Sequence, residues 1–264
     1  MNYEPPQFDE NGNITLYGTF YPTTSMKHHK KLREALFSAI LEGDTNTVKK
    51  LIEADVDVQN EGTYYSKPNE PRRAPMHLSP LEATVRICPE DSAPAIVDKL
   101  LEAKAKLTYY ERNNSDATIV GGYTFTSDTL LTLAIKEGKP KLTEHILTKL
   151  HMDPNKGTLD GELPLSLAVT NNDPNIRDLL ITTLLSAGAN VNQVGCYMQT
   201  PLHIAARHNI PILKKFVEAG GELTRDNGNG TPMAIAAQLH YKDPWIKRMV
   251  KETLEQAEQA DIDI

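Results

Sequence analysis

One run constrains this chain more than any other: Thr200-Pro201-Leu202-His203-Ile204-Ala205-Ala206. A hydroxyl residue followed by proline is a helix start. The hydroxyl can cap a free N–H, and proline arrives with its φ already set. The pattern returns downstream as Thr231-Pro232-Met233-Ala234-Ile235-Ala236-Ala237. Upstream it is echoed by Leu163-Pro164-Leu165-Ser166-Leu167-Ala168, by Thr129-Leu130-Leu131-Thr132-Leu133-Ala134 and by Ser79-Pro80-Leu81-Glu82. A period of about 33 residues marks a supersecondary unit stacked on copies of itself. One unit cannot bury its apolar face alone, so neighbours must share a core. Such a chain offers surfaces and loops for binding rather than a central pocket.

The remaining periodicity fills in the helical pairs. Leu32, Leu36, Ala39 and Ile40 share one face of a helix beginning near Lys31. Glu42-Gly43-Asp44 breaks it, and Val48, Leu51 and Ile52 start a second face. The second repeat joins Ser79-Pro80-Leu81 to Ile96, Val97, Leu100 and Leu101 through a long connection, in which Pro94 suits a first helical turn. The third starts at Thr129, breaks at Glu137-Gly138-Lys139-Pro140 and resumes with Leu142, Ile146 and Leu147. Gly188 ends the fourth, since glycine takes positive φ freely. The fifth spans Thr200 to Thr224. The sixth starts at Thr231, and its second helix carries Trp245, Ile246, Met249 and Val250 on one side and charge on the other, as a C-terminal cap should.

The Thr-Pro-Leu-His run and Leu184-Leu185-Ser186-Ala187-Gly188-Ala189-Asn190-Val191-Asn192 resemble the opening and the second-helix ending of an ankyrin repeat. The resemblance covers roughly residues 31–257. It implies an all-α fold, an ankyrin-repeat solenoid of about six helix-turn-helix repeats with long inter-repeat fingers. Residues 1–30 form a non-repeat arm. Its Ile14-Thr15-Leu16-Tyr17 alternates like a strand after the turn at Asp9–Asn13, so it reads as a hairpin on the first repeat or as a frayed terminus. Residues 258–264 are an acidic tail. In this family the histidine at the position of His203 is structural and bonds to the turn.

Composition narrows the function. The net charge of -7 gives little support to nucleic-acid binding. Cys88 and Cys196 make no disulfide framework and lack zinc spacing, which suits a reducing compartment. The start Met1-Asn2-Tyr3-Glu4-Pro5-Pro6 has no signal-peptide character, and no apolar run is long enough for membrane insertion. Asp9 to Phe20 opens like a calcium loop but lacks the closing glutamate. Gly228-Asn229-Gly230 and Gly121-Gly122 have no following lysine for a phosphate, and His28-His29 lacks a second ligand pair. No cofactor, metal or catalytic residue is therefore expected. The alternative is an enzyme, or an enzyme-modulating factor, that uses the fingers or a cryptic site near Cys196, which folding could bring to His203.

The expected function is recognition of a protein partner by a monomer in the cytoplasm. The resemblance implies a concave surface that includes Arg86, Lys136, Glu137, Asn171, Arg207 and His208. Two consecutive long fingers should project beside it. One is about residues 59–77, with Tyr64, Tyr65, Arg72 and Arg73; the other is about residues 108–127, with Tyr109, Tyr110, Arg112, Tyr123 and Phe125. Tyrosine and arginine are frequent interface hot spots, and long loops in compact folds are often functional. The tail Glu252–Ile264 resembles the C-terminal signals of bacterial type IV secretion effectors, which implies translocation into a host cell. A solvated helix end is the simpler account of its charge.

Overall fold

A computed structural model of the protein describes residues 30–59, 78–105 and 128–252 in full, and the backbone alone at 7–8, 14–16, 19–21, 26–29, 62–64 and 76–77. The chain divides into two compact units, Met1–Lys149 and Leu150–Ile264.

Unit 1 opens with three short strands, β1 (Gln7–Phe8), β2 (Ile14–Leu16) and β3 (Thr19–Tyr21), paired antiparallel in that order. β2 lies against α1 (Met26–Glu42), so the hairpin does rest on the first repeat. That helix begins five residues ahead of the expected start near Lys31. Leu32, Leu36, Ala39 and Ile40 are buried along one face, as their spacing predicts. Gly43 then turns the chain at a φ of +71°. Asp44 caps α2 (Thr45–Glu53) by accepting from the Thr47 N–H at 3.0 Å.

Two more hairpins follow. α3 (Pro80–Ile87) and α4 (Ala93–Glu102) form one, and α5 (Leu130–Lys136) and α6 (Pro140–Thr148) the other. Inner helices α1, α3 and α5 pack in sequence, and outer helices α2, α4 and α6 pack behind them. Ahead of α3, β4 (Gly62–Tyr64) and β5 (Met76–Leu78) pair antiparallel and give the first finger a two-stranded base. These strands sit at the repeat edges and leave the helical class unchanged.

Unit 2 repeats the plan. α7 (Pro164–Val169) pairs with α8 (Pro174–Ser186), α9 (Pro201–His208) with α10 (Ile210–Glu218), and α11 (Pro232–Leu239) precedes a helix over residues 244–252. α9 packs against both α7 and α11. Its alanines Ala205 and Ala206 are buried, which lets the inner helices approach closely, while Phe216 fills the wider outer gap at 0 % exposure. Ser79, Thr129 and Thr231 each cap their helix through the side chain. Leu163 has no hydroxyl, and its helix starts without a side-chain cap.

Candidate functional site

The fingers of unit 2 are held by side-chain amides. Asn155 donates through Nδ2 to the Gly188 carbonyl at 3.3 Å and accepts through Oδ1 from the Asn190 N–H at 2.7 Å. Asn192 repeats this one unit later, donating to the Gly220 carbonyl at 2.9 Å and accepting from the Glu222 N–H at 2.8 Å. In unit 1, Gln59 donates to the Lys104 carbonyl in the same way. The brace has a geometric origin. Each outer helix ends in a residue of positive φ, at Asp55 (59°), Lys104 (60°), Gly188 (87°) and Gly220 (87°). Side-chain amides four residues after Asp55 and Gly188, on Gln59 and Asn192, reach the left-handed residue of the next repeat. Asn155 does so four residues after His151, another positive-φ residue at 51°. Where that position is not glycine, as at Lys104, the left-handed backbone costs about 1–2 kcal/mol.

His203 belongs to the same scaffold. Its Nδ1 accepts from the Thr200 N–H at 3.1 Å and sits 2.8 Å from the Thr200 hydroxyl. Its Nε2 is buried and faces the Arg225 and Gly230 carbonyls without closing a well-formed hydrogen bond to either. Burial is the main cause that holds this imidazole below the usual histidine range. With one nitrogen on Thr200 and the other turned to the 225–230 turn, His203 has no nitrogen to serve Cys196 as a base. Cys196 itself spends its backbone N–H on the Gly161 carbonyl at 2.8 Å. Cys88 is buried, and burial pushes its thiol up to about 11, so it carries no thiolate at neutral pH.

The expected recognition residues meet different fates. Arg86 forms an ion pair with Glu137 across 51 residues of sequence, tying α3 to the end of α5. Lys136 pairs with Asp128 at 2.9 Å. These groups hold unit 1 together as well as lining its surface. Asn171 accepts from the Asp173 N–H at 2.9 Å through its side chain and from Arg177 at 3.3 Å through its carbonyl. Arg207 is half-buried and His208 exposed at the end of α9. Tyr64 is described as backbone in β4 only. Tyr65, Arg72, Arg73, Tyr109, Tyr110, Arg112, Tyr123 and Phe125 lie outside the described residues.

A second exposed group was missed in the sequence. A single 3-10 turn, Cys196–Met198, tops the finger between α8 and α9. Tyr197 and Met198 are both left-handed there, at φ 54° and 55°, and stand 85 % and 61 % exposed. Leu159, 67 % exposed, crowns the preceding finger, and the Cys196 N–H to Gly161 bond joins the two. Two consecutive non-glycine residues at positive φ leave no period in sequence, so only the surrounding turn reveals them.

Among the described residues no group of His, Cys, Asp and Glu is arranged to hold a metal ion, and no helix is long and apolar enough to cross a membrane. No protein-family model matches the chain, and no curated protein matches it either. Solved structures do. The crystal structure of the human ASB11 ankyrin repeat domain is similar at 25 % sequence identity and a TM-score of 0.51, covering 77 % of this chain and 76 % of that one.

Proposed function

Because the chain is an ankyrin-repeat protein, we propose that it recognises a protein partner through the inner-helix surface and the inter-repeat fingers, and that it acts by occupancy: masking, recruiting or scaffolding. The observation that carries this reading is the finger tip at Tyr197 and Met198, both left-handed and both exposed. Each costs about 1–2 kcal/mol relative to glycine in that conformation. Backbone strain of this kind concentrates at functional sites, and it here displays an aromatic ring and a thioether to solvent. In this reading the chain is a binding protein that needs neither catalysis nor a cofactor, acting as a monomer in the cytoplasm.

The two long fingers supply the test. Tyr64, Tyr65, Tyr109 and Tyr110 sit in insertions that no repeat requires. With a partner captured on the intact chain and identified by mass spectrometry, changing all four to Ala weakens binding at least about tenfold, roughly 1.4 kcal/mol. The melting temperature moves little. Binding that survives the change places recognition elsewhere; a much lower melting temperature makes the tyrosines a structural cluster.

The tail carries a second part of the reading. Glu255, Glu258, Asp261 and Asp263 alternate with apolar residues up to Ile264, and we read this as the export signal of an effector that acts on a host protein. A reporter fusion truncated after Lys251 then fails to translocate while the repeats stay folded. Normal translocation of the truncated chain removes the effector reading.

A further inference from the structure

Cations at the turns between inner and outer helices are treated differently in the two units. In unit 1 they are satisfied internally. Arg86 pairs with Glu137, Lys139 donates to the Cys88 carbonyl at 2.8 Å, and Lys141 pairs with Asp91. The hydrogen bond and charge of Lys141 hold the Asp91 carboxyl below its ordinary range. Among the described residues of unit 2, the cations at these turns lack such partners. Arg177 reaches only the Asn171 carbonyl, and Lys242 lies over the Tyr241 ring at 5.6 Å. Arg207 stands half-buried near the end of α9. Among the described residues no carboxylate oxygen lies within the 4.0 Å of an ion pair from any of the three. The carboxylates that start two of the outer helices, Asp173 and Asp243, are occupied as caps. Asp173 accepts from the Asn175 and Ile176 N–H groups, and Asp243 from those of Trp245 and Ile246.

Two exposed apolar side chains stand beside Lys242 in the chain. Leu239 is 54 % exposed and Tyr241 61 % exposed. Thr200 and Thr231 start α9 and α11, and the two helices pack together. His208 and Leu239 each stand eight residues further on, so they occupy matching places in adjacent rows, about 10 Å apart as packed helices are. Residues 150–252 hold ten Lys and Arg against ten Asp and Glu, so the chain's charge of -7 lies outside them. Glu255, Glu258, Asp261 and Asp263 add four negative charges to the unit beyond residue 252, so an acidic ligand is drawn by the local cations and not by the unit's net charge.

We propose that the inner-to-outer turns of unit 2 bind an acidic linear segment of a partner protein, with its carboxylates on Arg207 and Lys242 and its apolar side chains on Leu239 and Tyr241. This rests on the recognition reading above and names the chemistry of the partner. Arginine suits a carboxylate because its planar fork can donate two parallel hydrogen bonds, and the charge-assisted pair is roughly twice as strong as a neutral one. A nucleic-acid backbone fits less well, since a unit with no net positive charge gives no extended field to collect phosphates.

The test is peptide display on the intact chain with a random twelve-residue library. Enriched peptides should carry Asp or Glu beside Leu, Ile or Phe. A synthetic copy of the most enriched peptide should bind at least about tenfold more weakly to the double variant Arg207→Glu, Lys242→Glu. Its affinity should also fall as salt rises from 50 to 300 mM. Should the double variant melt early, Arg207→Gln gives the same comparison without charge reversal. Enriched peptides without acidic residues overturn the proposal and leave protein recognition standing. So does binding that is indifferent to both variants. Displacement of the peptide by a short single-stranded DNA replaces the proposal with a nucleic-acid site. No enrichment above an unrelated helical protein overturns the proposal and the recognition reading together.

Discussion

Replacing Leu202 with alanine lowers stability by about 2–5 kcal/mol. The side chain is fully buried, at 0 % exposure, on the helix that packs against α7, α10 and α11. Its Cδ2 lies only 2.7 Å from where a Cβ on Gly221 would stand, so the leucine is wedged against the turn that closes α10. Several helices form the walls of the cavity that alanine would leave. None can collapse into it without losing contacts elsewhere, which puts the expected loss well above the transfer free energy of the missing carbons. Leu159, 67 % exposed, is the control. Its change to alanine stays within about 0.5 kcal/mol. Denaturant titration separates the two: the Leu202→Ala midpoint drops while the slope is unchanged. An unmoved midpoint would show that Leu202 is outside the shared core.

The inner helices were legible because their signals are local. Ser79, Thr129, Leu163, Thr200 and Thr231 each stand immediately before the observed helix. A cap, a proline and buried leucines and alanines are written within a single stretch, and the period repeats them. The left-handed helix ends were half legible. Gly188 announces itself, but Asp55 adopts the same conformation with a side chain that merely tolerates it and Lys104 with one that normally avoids it. At Lys104 the Gln59 amide of the preceding repeat braces that conformation, a partner not visible within one repeat. The ion pairs of unit 1 were hidden for a different reason. Arg86 meets Glu137 at a separation of 51 residues, because the long insertion before α5 stretches the period there. Arg86, Lys136 and Glu137 therefore read as free surface in the sequence and are partly committed to one another and to Asp128 in the structure. Tyr197 and Met198 were passed over because an exposed residue is defined by what fails to cover it, and that is a property of the finished fold.

Gly195→Ala is expected to destabilise unit 2 by about 1–3 kcal/mol, through crowding rather than backbone strain. Gly195 has a φ of -107°, which alanine can adopt. A Cβ there would stand 2.7 Å from the Gly161 carbonyl oxygen and 3.0 Å from Leu163 Cγ. That oxygen is the acceptor of the Cys196 N–H, one of the bonds that join these two adjacent fingers of unit 2. Leu163 cannot retreat easily, being buried at 5 % exposure at the start of α7. The methyl group is therefore accommodated by parting the fingers, and the parting loosens the turn that displays Tyr197 and Met198. Gly188→Ala is the matched contrast. No atom lies within 4 Å of its added Cβ, but its φ is +87°. It should lose about 1–2 kcal/mol through backbone conformation alone. Hydrogen exchange tells the two mechanisms apart. The Cys196 amide should exchange faster in Gly195→Ala and at the original rate in Gly188→Ala. Partner affinity should fall in the first and hold in the second, because only the first disturbs the finger tip. A Gly195→Ala protein with unaltered melting and unaltered Cys196 exchange would mean that the fingers are not braced at this bond, and Tyr197 and Met198 would lose their claim to a rigid platform.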